Sequence, residues 1–155
     1  MASCFLYKEG MSDSQLNQAI EDLAQDLRKG GAPTRYHARE ILVALGSMVL
    51  SAEEASQEAE TADIVKRIAE ATAEHEELWQ AAIREELLLA GAEHTQAIDP
   101  RFLEHPRYDF GYTVAARTRL EARLRAAPLI GHEVPEELLD RIAQADAVLE
   151  PYLER

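Results

Sequence analysis

This sequence has a single cysteine, Cys4, among its 155 residues, so no disulfide bond can form within the chain. A secreted domain held together by disulfides is thereby excluded. The sequence also lacks a basic start followed by an apolar run of signal-peptide length. The longest nearly apolar stretch, residues 41–50, is about half as long as the roughly 20 residues that a membrane-spanning helix needs. These absences predict a cytoplasmic protein that does not associate with a membrane.

Basic residues are scarce: 16 lysines and arginines stand against 29 acidic residues, which gives a net charge of −13. Because nucleic acid is bound by replacing its counterions with lysine and arginine, we expect no nucleic-acid partner. Residues 99–127 are the exception, with six arginines and four acidic residues. An arginine patch for nucleic acid is the alternative interpretation of this segment, but no recognisable nucleic-acid module surrounds it. The segment instead predicts an electrostatic match with an acidic helix of the same chain.

Signals for β-strands are missing as well, because no alternating run of β-branched residues occurs and valine and threonine are sparse. Apolar residues recur instead at the 3.6-residue spacing of amphipathic helices. The sequence therefore predicts an all-α fold, a compact bundle of four to five helices. Besides the segment described next, the predicted helices cover about residues 12–28, 34–50, 113–127 and 135–152.

Proline is absent from residues 51–98, and Gly91 is the only glycine there. The stretch carries twelve acidic and three basic residues, and its apolar residues follow a helical period. These properties predict one long acidic amphipathic helix. An unbroken helix over 52–97 would be about 69 Å long. We therefore expect a break near Thr61 and fraying after Gly91.

The first residues of the chain differ from those that follow. Ser12 and Gln15 form a capping box, a pattern typical of a helix start. Residues 1–11 are therefore predicted to be a flexible N-terminal extension, and residues 12–155 to be one helical bundle domain. The sequence leaves open whether Met11 is the biological start.

Catalytic and metal-binding motifs are not found. The sequence has no Glu-x-x-His pair of the di-metal carboxylate bundles, no His-Glu-x-x-His, no Gly-x-Ser-x-Gly and no phosphate-binding glycine loop. His105 with Asp109 and His132 with Glu136 have helical metal-ligand spacing, but prolines surround both pairs. We therefore predict no metal and no cofactor, and the sequence favours a protein without enzymatic activity.

Two polar residues interrupt the apolar stripe of the acidic segment. His75 is expected to be buried against Trp79 without binding a metal. Glu86 lies on the same otherwise apolar face and needs a positively charged partner, because an unpaired buried carboxylate is strongly unfavourable. Arg117 or Arg123 of the following long helix is predicted to supply that partner.

The primary functional interpretation is a non-enzymatic protein-interaction module, such as an adaptor, an inhibitor or an antitoxin-like protein. A helix longer than its neighbours leaves part of its apolar stripe uncovered, and a two-fold homodimer is the commonest way to cover such a surface. We therefore predict a protein partner, in the first place a second copy of the chain. The interface is placed at Trp79, Ile83 and Leu87.

The alternative interpretation is a helical enzyme or carrier that binds a small ligand or a metal near His75. Residues 99–112 are irregular and contain four of the nine aromatic residues of the chain. Aromatic side chains and a histidine can together line a ligand pocket. The residues predicted to bind the ligand are His75, Trp79, Glu86, Phe102, Tyr108 and Phe110.

Overall fold

A computed structural model describes residues 11–51 and 58–154, which form seven α-helices and no strand. The all-α prediction is confirmed, but these residues contain six long helices where four or five were expected. Within the same two ranges, no helix has the length and apolar character needed to cross a bilayer. The helices are α1 (Met11–Arg28), α2 (Arg35–Ser51), α3 (Glu58–Thr72), α4 (Glu76–Ala97), the short α5 (Pro100–Leu103), α6 (Phe110–Leu129) and α7 (Glu136–Leu153).

The predicted N-terminal extension, residues 1–11, lies almost wholly outside the described residues. Met11 is already helical as the first residue of α1. Residues 52–57 also lie outside the described residues. Ser51 itself is the last residue of α2, and its hydroxyl donates a hydrogen bond to the carbonyl oxygen of Ser47 at 2.7 Å.

The predicted long acidic helix is divided in two by a 3₁₀ turn, Ala73–His75. The expected break near Thr61 is wrong, because that residue lies within α3, and α4 continues past Gly91 to Ala97. Neither proline nor glycine marks the actual break. Just before it, the buried Thr72 donates its hydroxyl to the carbonyl oxygen of Ile68, an interaction that often bends helices.

The centre of the fold is α2, which packs against α1, α4 and α6. It is apolar around most of its circumference, as expected for a helix surrounded by others. Its closest approach is to α6, where small residues let the two backbones meet at Gly46 and Ala122. The buried residues of α2 are His37, Ala38, Ile41, Leu42, Ala44, Leu45, Gly46, Ser47 and Met48.

The predicted dimer interface lies inside the chain. Trp79 is 2% exposed, and Ile83 and Leu87 are fully buried in the main core. The expectation that this part of the stripe would be left uncovered is wrong, because the break at residues 73–75 lets α4 pack separately against α2, α6 and α7. A charged substitution at Trp79 would therefore disrupt the core of one chain, whatever the oligomeric state.

A second, smaller core joins the start of α6 to α7. The rings of Tyr108 and Phe110 meet edge to face at 4.7 Å, and Phe110 stacks on Tyr152 at 6.4 Å. These rings pack against buried Ile98 and Leu149. The aromatic segment is thus used largely for packing.

Helix α6 continues beyond its predicted end. Residue 127 was the predicted end, but Pro128 lies within the last turn of the helix. Proline cannot donate a hydrogen bond to the carbonyl oxygen four residues earlier, but so close to the helix end this loss interrupts no further turn. The helix ends where Gly131 takes a positive φ of 78°. The N–H of His132 then donates to the carbonyl oxygen of Ala127 at 2.9 Å, as in a C-terminal glycine cap.

The contact between α2 and α6 predicts a strong difference between two glycine substitutions. A Cβ atom at Gly46 would overlap the backbone of Ala122, whereas at Gly91 it would lie 2.5 Å from the flexible end of the Leu138 side chain. We expect Gly46→Ala to lower the free energy of unfolding by about 1–3 kcal/mol or more. Gly91→Ala should stay within about 1 kcal/mol, because improved helix propensity offsets the side-chain adjustment. Urea unfolding monitored by Trp79 fluorescence measures both, and equal losses would contradict the described helix contact.

Candidate functional site

The most unusual group in the core is the carboxylate of Glu86 on α4, whose side chain is 3% exposed. One of its oxygens, Oε1, lies 3.2 Å from Nε of Arg123 on α6. The other oxygen, Oε2, accepts a hydrogen bond from Nη1 of Arg35 on α2 at 3.1 Å. The predicted pairing of Glu86 with Arg123 is confirmed, and Arg35 is a second partner that the sequence analysis missed. One carboxylate therefore connects three helices.

Arg123 is buried more deeply than an arginine usually is. Its side chain is 9% exposed, and its Nε atom is buried without a hydrogen-bond partner despite its short distance to Glu86. Burial lowers the pKa of Arg123, the charge of Glu86 opposes this shift, and the nearby charges of Arg39 and Arg119 add to it. The guanidinium remains charged at neutral pH, because arginine does not deprotonate in proteins. It is a buried positive charge with unused hydrogen-bonding capacity.

This ion pair lies in the wall of a cleft of about 310 Å³ between α2, α4 and α6. We call it the arginine cleft. Its charged lining consists of four arginines and two glutamates, a net charge of +2 with neutral histidine. The charged residues are Arg35, Arg39, Glu86, Glu93, Arg119 and Arg123.

Helical spacing explains why these side chains converge. On α2, Arg35 and Arg39 are four residues apart, so both lie on the face directed at the cleft. On α6, Tyr112, Arg119 and Arg123 share one face because they are separated by seven and four residues. The cleft is therefore the meeting place of two arginine-bearing helix faces.

Two of the four arginines have no acidic partner. Within the described residues, neither Arg39 nor Arg119 has a carboxylate at ion-pair distance, whereas Arg35 and Arg123 both contact Glu86. Arg39 is exposed and Arg119 is half-buried, and the positive charges of both act on the buried guanidinium of Arg123. The arginine cleft is thus a positively charged concavity in a chain whose net charge is −13.

A histidine also lines the cleft. The side chain of His94 on α4 is 3% exposed, and its Nε2 lies 2.9 Å from Oδ1 of Asp146 on α7. Asp146 in turn accepts hydrogen bonds from Nε and Nη2 of Arg117 at 3.0 and 2.9 Å. Arg117 was one of the two partners predicted for Glu86, and it contacts Asp146 and Glu121 instead. The contact with Asp146 fixes the orientation of the His94 ring.

The other residues predicted to bind a ligand are dispersed. Among the described residues, Glu86 is the one predicted ligand-binding residue that lines the arginine cleft. His75 was expected to be buried, but it is half-buried on the 3₁₀ turn, because the helix break removes it from the apolar stripe. Phe102 is 55% exposed. Trp79 lies in the main core, and Tyr108 and Phe110 lie in the smaller one.

In residues 11–51 and 58–154, no three histidine, cysteine, aspartate or glutamate side chains lie close enough together to hold a metal ion.

Comparison with known proteins gives no functional information about this site. No family model, no curated protein and no solved structure matches the chain. The function is therefore inferred from the chemistry of the cleft itself.

The contact of Asp146 with Arg117 and His94 predicts a pH-dependent stability. Burial alone would raise the pKa of Asp146, but the hydrogen bonds and charges of Arg117 and His94 outweigh it and lower the pKa. Because folding lowers the pKa of this carboxyl group, its ionised form stabilises the protein at pH values above the pKa that the group has in the unfolded chain, about 4. This contribution is lost as the pH falls through the lower pKa of the folded state. Asp146→Asn should therefore reduce stability at pH 7 and reduce it less at pH 3.

The matched control for this experiment is Asp140→Asn, on the exposed face of the same helix. It should change the free energy of unfolding little at either pH, as is usual for surface substitutions. Urea unfolding at pH 7 and pH 3 gives both comparisons. A deficit of Asp146→Asn that is equally large at both pH values would show that its charge is not the stabilising feature.

Proposed function

We propose that this protein is a non-enzymatic interaction module that binds an acidic segment of a partner protein in the arginine cleft. The observation that carries the proposal is the pair Arg39 and Arg119, which are held next to Arg123 without acidic partners among the described residues. Such an arrangement is unfavourable in the free protein and becomes favourable when an anion enters. The proposal thus follows from charge complementarity.

The surroundings of the cleft support a protein partner. Tyr112, which is 68% exposed, lines the arginine cleft together with the partly exposed Leu89. A neighbouring cleft of about 300 Å³ between α1, α2 and α6 shares Arg39 and Arg119 and is lined by Tyr36, which is 65% exposed. Tyrosine and arginine are the side chains that dominate binding energy at protein interfaces. The neighbouring cleft also contains Asp22 and Glu40, so its charged lining is neutral, and an acidic group would bind in the arginine cleft while the exposed tyrosines contact the rest of the partner segment.

The net charge of the chain shapes how such a partner would bind. At a distance, the charge of −13 repels an acidic protein. At physiological ionic strength this repulsion is screened beyond about 8 Å, whereas the interaction inside the cleft is screened much less. Binding would therefore require that the acidic group enters the cleft, which favours a specific partner over polyanions in general.

A second candidate function is a carrier for a small anionic molecule. The volume of the cleft, about 310 Å³, is at the lower end of the range for small-molecule sites. The sequence analysis gave a small-ligand carrier as its alternative interpretation and placed the site near His75. The present candidate places the site around Glu86 instead. The homodimer stays a prediction whose original argument, an uncovered stripe on α4, no longer applies.

Charge reversal in the cleft tests the proposed function. The probe is a fluorescein-labelled peptide of six glutamates, and fluorescence anisotropy measures its affinity. We expect Arg39→Glu combined with Arg119→Glu to weaken binding at least about tenfold, because two attractive charges become repulsive. Neither residue has an ion-pair partner among the described residues, so the fold should be retained.

The control is Arg125→Glu, also on α6. This side chain is 62% exposed, its ion pair is a 3.8 Å contact with Glu121, and it does not line the cleft. It should weaken binding by less than about twofold, since an isolated exposed charge contributes little. Equal losses in the cleft variant and in Arg125→Glu would refute the arginine cleft as the binding site.

A further inference from the structure

We infer that the group bound in the arginine cleft is a phosphate monoester, presented on a phosphorylated side chain of the partner protein. This inference rests on the proposed function and specifies the chemistry of its ligand. Three observations carry it: the charge of the cleft, the unused donor of Arg123, and the arrangement of arginines on two helices.

The charge of the cleft matches a dianion. Four arginines and two glutamates line it, so two positive charges remain uncompensated when histidine is neutral. A glutamate or aspartate side chain of a partner would neutralise one of them. A phosphorylated serine, threonine or tyrosine carries about −1.5 to −2 at neutral pH and would neutralise nearly both. The charge balance therefore favours phosphate over carboxylate.

Arg123 supplies the second observation. Its side chain is about nine-tenths buried and lines the cleft, and its Nε atom lacks a hydrogen-bond acceptor among the described residues. Leaving a buried donor unsatisfied is unfavourable by about 1–3 kcal/mol. Nε faces Glu86 at 3.2 Å, so an oxyanion in the cleft would be bound by the other N–H groups of the guanidinium while Nε keeps its contact with Glu86. The free protein thus holds a buried guanidinium that Glu86 contacts on one side only.

The third observation is the direction from which donors approach. Arg39 comes from α2, and Arg119 comes from α6 together with Arg123. The planar guanidinium binds two oxygens at once, and this fork fits phosphate as well as carboxylate. A phosphate monoester has three terminal oxygens, one for each of these three arginines, whereas a carboxylate such as that of Glu86 has two oxygens and contacts two arginines.

Two ligands of the same shape and different charge test this inference. Phenyl phosphate is close to a dianion at pH 7.5, since its second pKa is near 6, and phenyl sulfate is a monoanion. Isothermal titration calorimetry on the full chain should show phenyl phosphate binding at least about tenfold more tightly, the effect of one added charge within a partly buried site. Equal affinities would overturn the charge match, whatever the absolute values.

Single substitutions show which arginines cause the preference for phenyl phosphate over phenyl sulfate. Arg119→Gln and Arg39→Gln each remove one unpaired charge, so each should reduce the preference for phenyl phosphate to near equality without disturbing the ion pairs of Glu86. Arg125→Gln, outside the cleft, should keep the full preference. Arg123→Gln is left out of this series because it breaks a buried ion pair and endangers the fold. A preference that persists in both cleft variants would place the anion elsewhere and refute the inference.

Peptides then distinguish the source of the phosphate. Three peptides of one sequence carry phosphoserine, glutamate or serine at the central position. The inference expects the phosphoserine peptide to bind most tightly, and more tightly than phenyl phosphate. Equal binding of the glutamate peptide would refute the phosphoryl group and leave the proposed function standing. If phenyl phosphate binds more tightly than the phosphopeptide, the inference that the phosphate belongs to a partner side chain is refuted and the small-molecule carrier is supported. If no acidic probe binds, the proposed function is refuted as well.

Discussion

The structure around the cleft depends on one buried carboxylate, that of Glu86, held between Arg35 and Arg123. Removing Glu86 and Arg123 from water is unfavourable, and their attraction to each other and to the partly exposed Arg35 compensates only when the geometry is good. The three side chains come from α2, α4 and α6, so forming their contacts places these helices relative to one another. The close contact of α2 with α6 at Gly46 fixes the same arrangement through packing.

The ion pair and the arginine cleft are consequences of the same arrangement. Bringing α2 and α6 together around Glu86 also brings Arg39 and Arg119 to the same cleft. In the function that we propose, an entering anion is attracted by these two charges. This explains how an acidic chain without a recognisable motif can hold a positively charged site: the site is a property of the packed helices, not of any one segment.

Part of this arrangement is visible in the sequence. The all-α fold follows from helical periodicity, and the pairing of Glu86 with Arg123 follows from a lone carboxylate on an apolar stripe. Arg35 and Arg39 could not be found in this way, because their convergence with α6 is decided by tertiary packing between residues some 80 positions apart. The break at residues 73–75 was missed because neither proline nor glycine marks it, and this error led to the incorrect expectations for His75, Trp79, Ile83 and Leu87.

A double-mutant cycle between Glu86 and Arg123 tests the central claim most directly. Glu86→Gln, Arg123→Gln and the double variant are compared with the natural chain by urea unfolding, followed through the fluorescence of the single tryptophan, Trp79. The account predicts a favourable coupling energy of about 1–3 kcal/mol, since Glu86→Gln leaves the buried Arg123 without its carboxylate and Arg123→Gln leaves the buried Glu86 with the partly exposed Arg35 alone. A coupling energy near zero would contradict it, because the buried ion pair would then not hold the three helices of the cleft together.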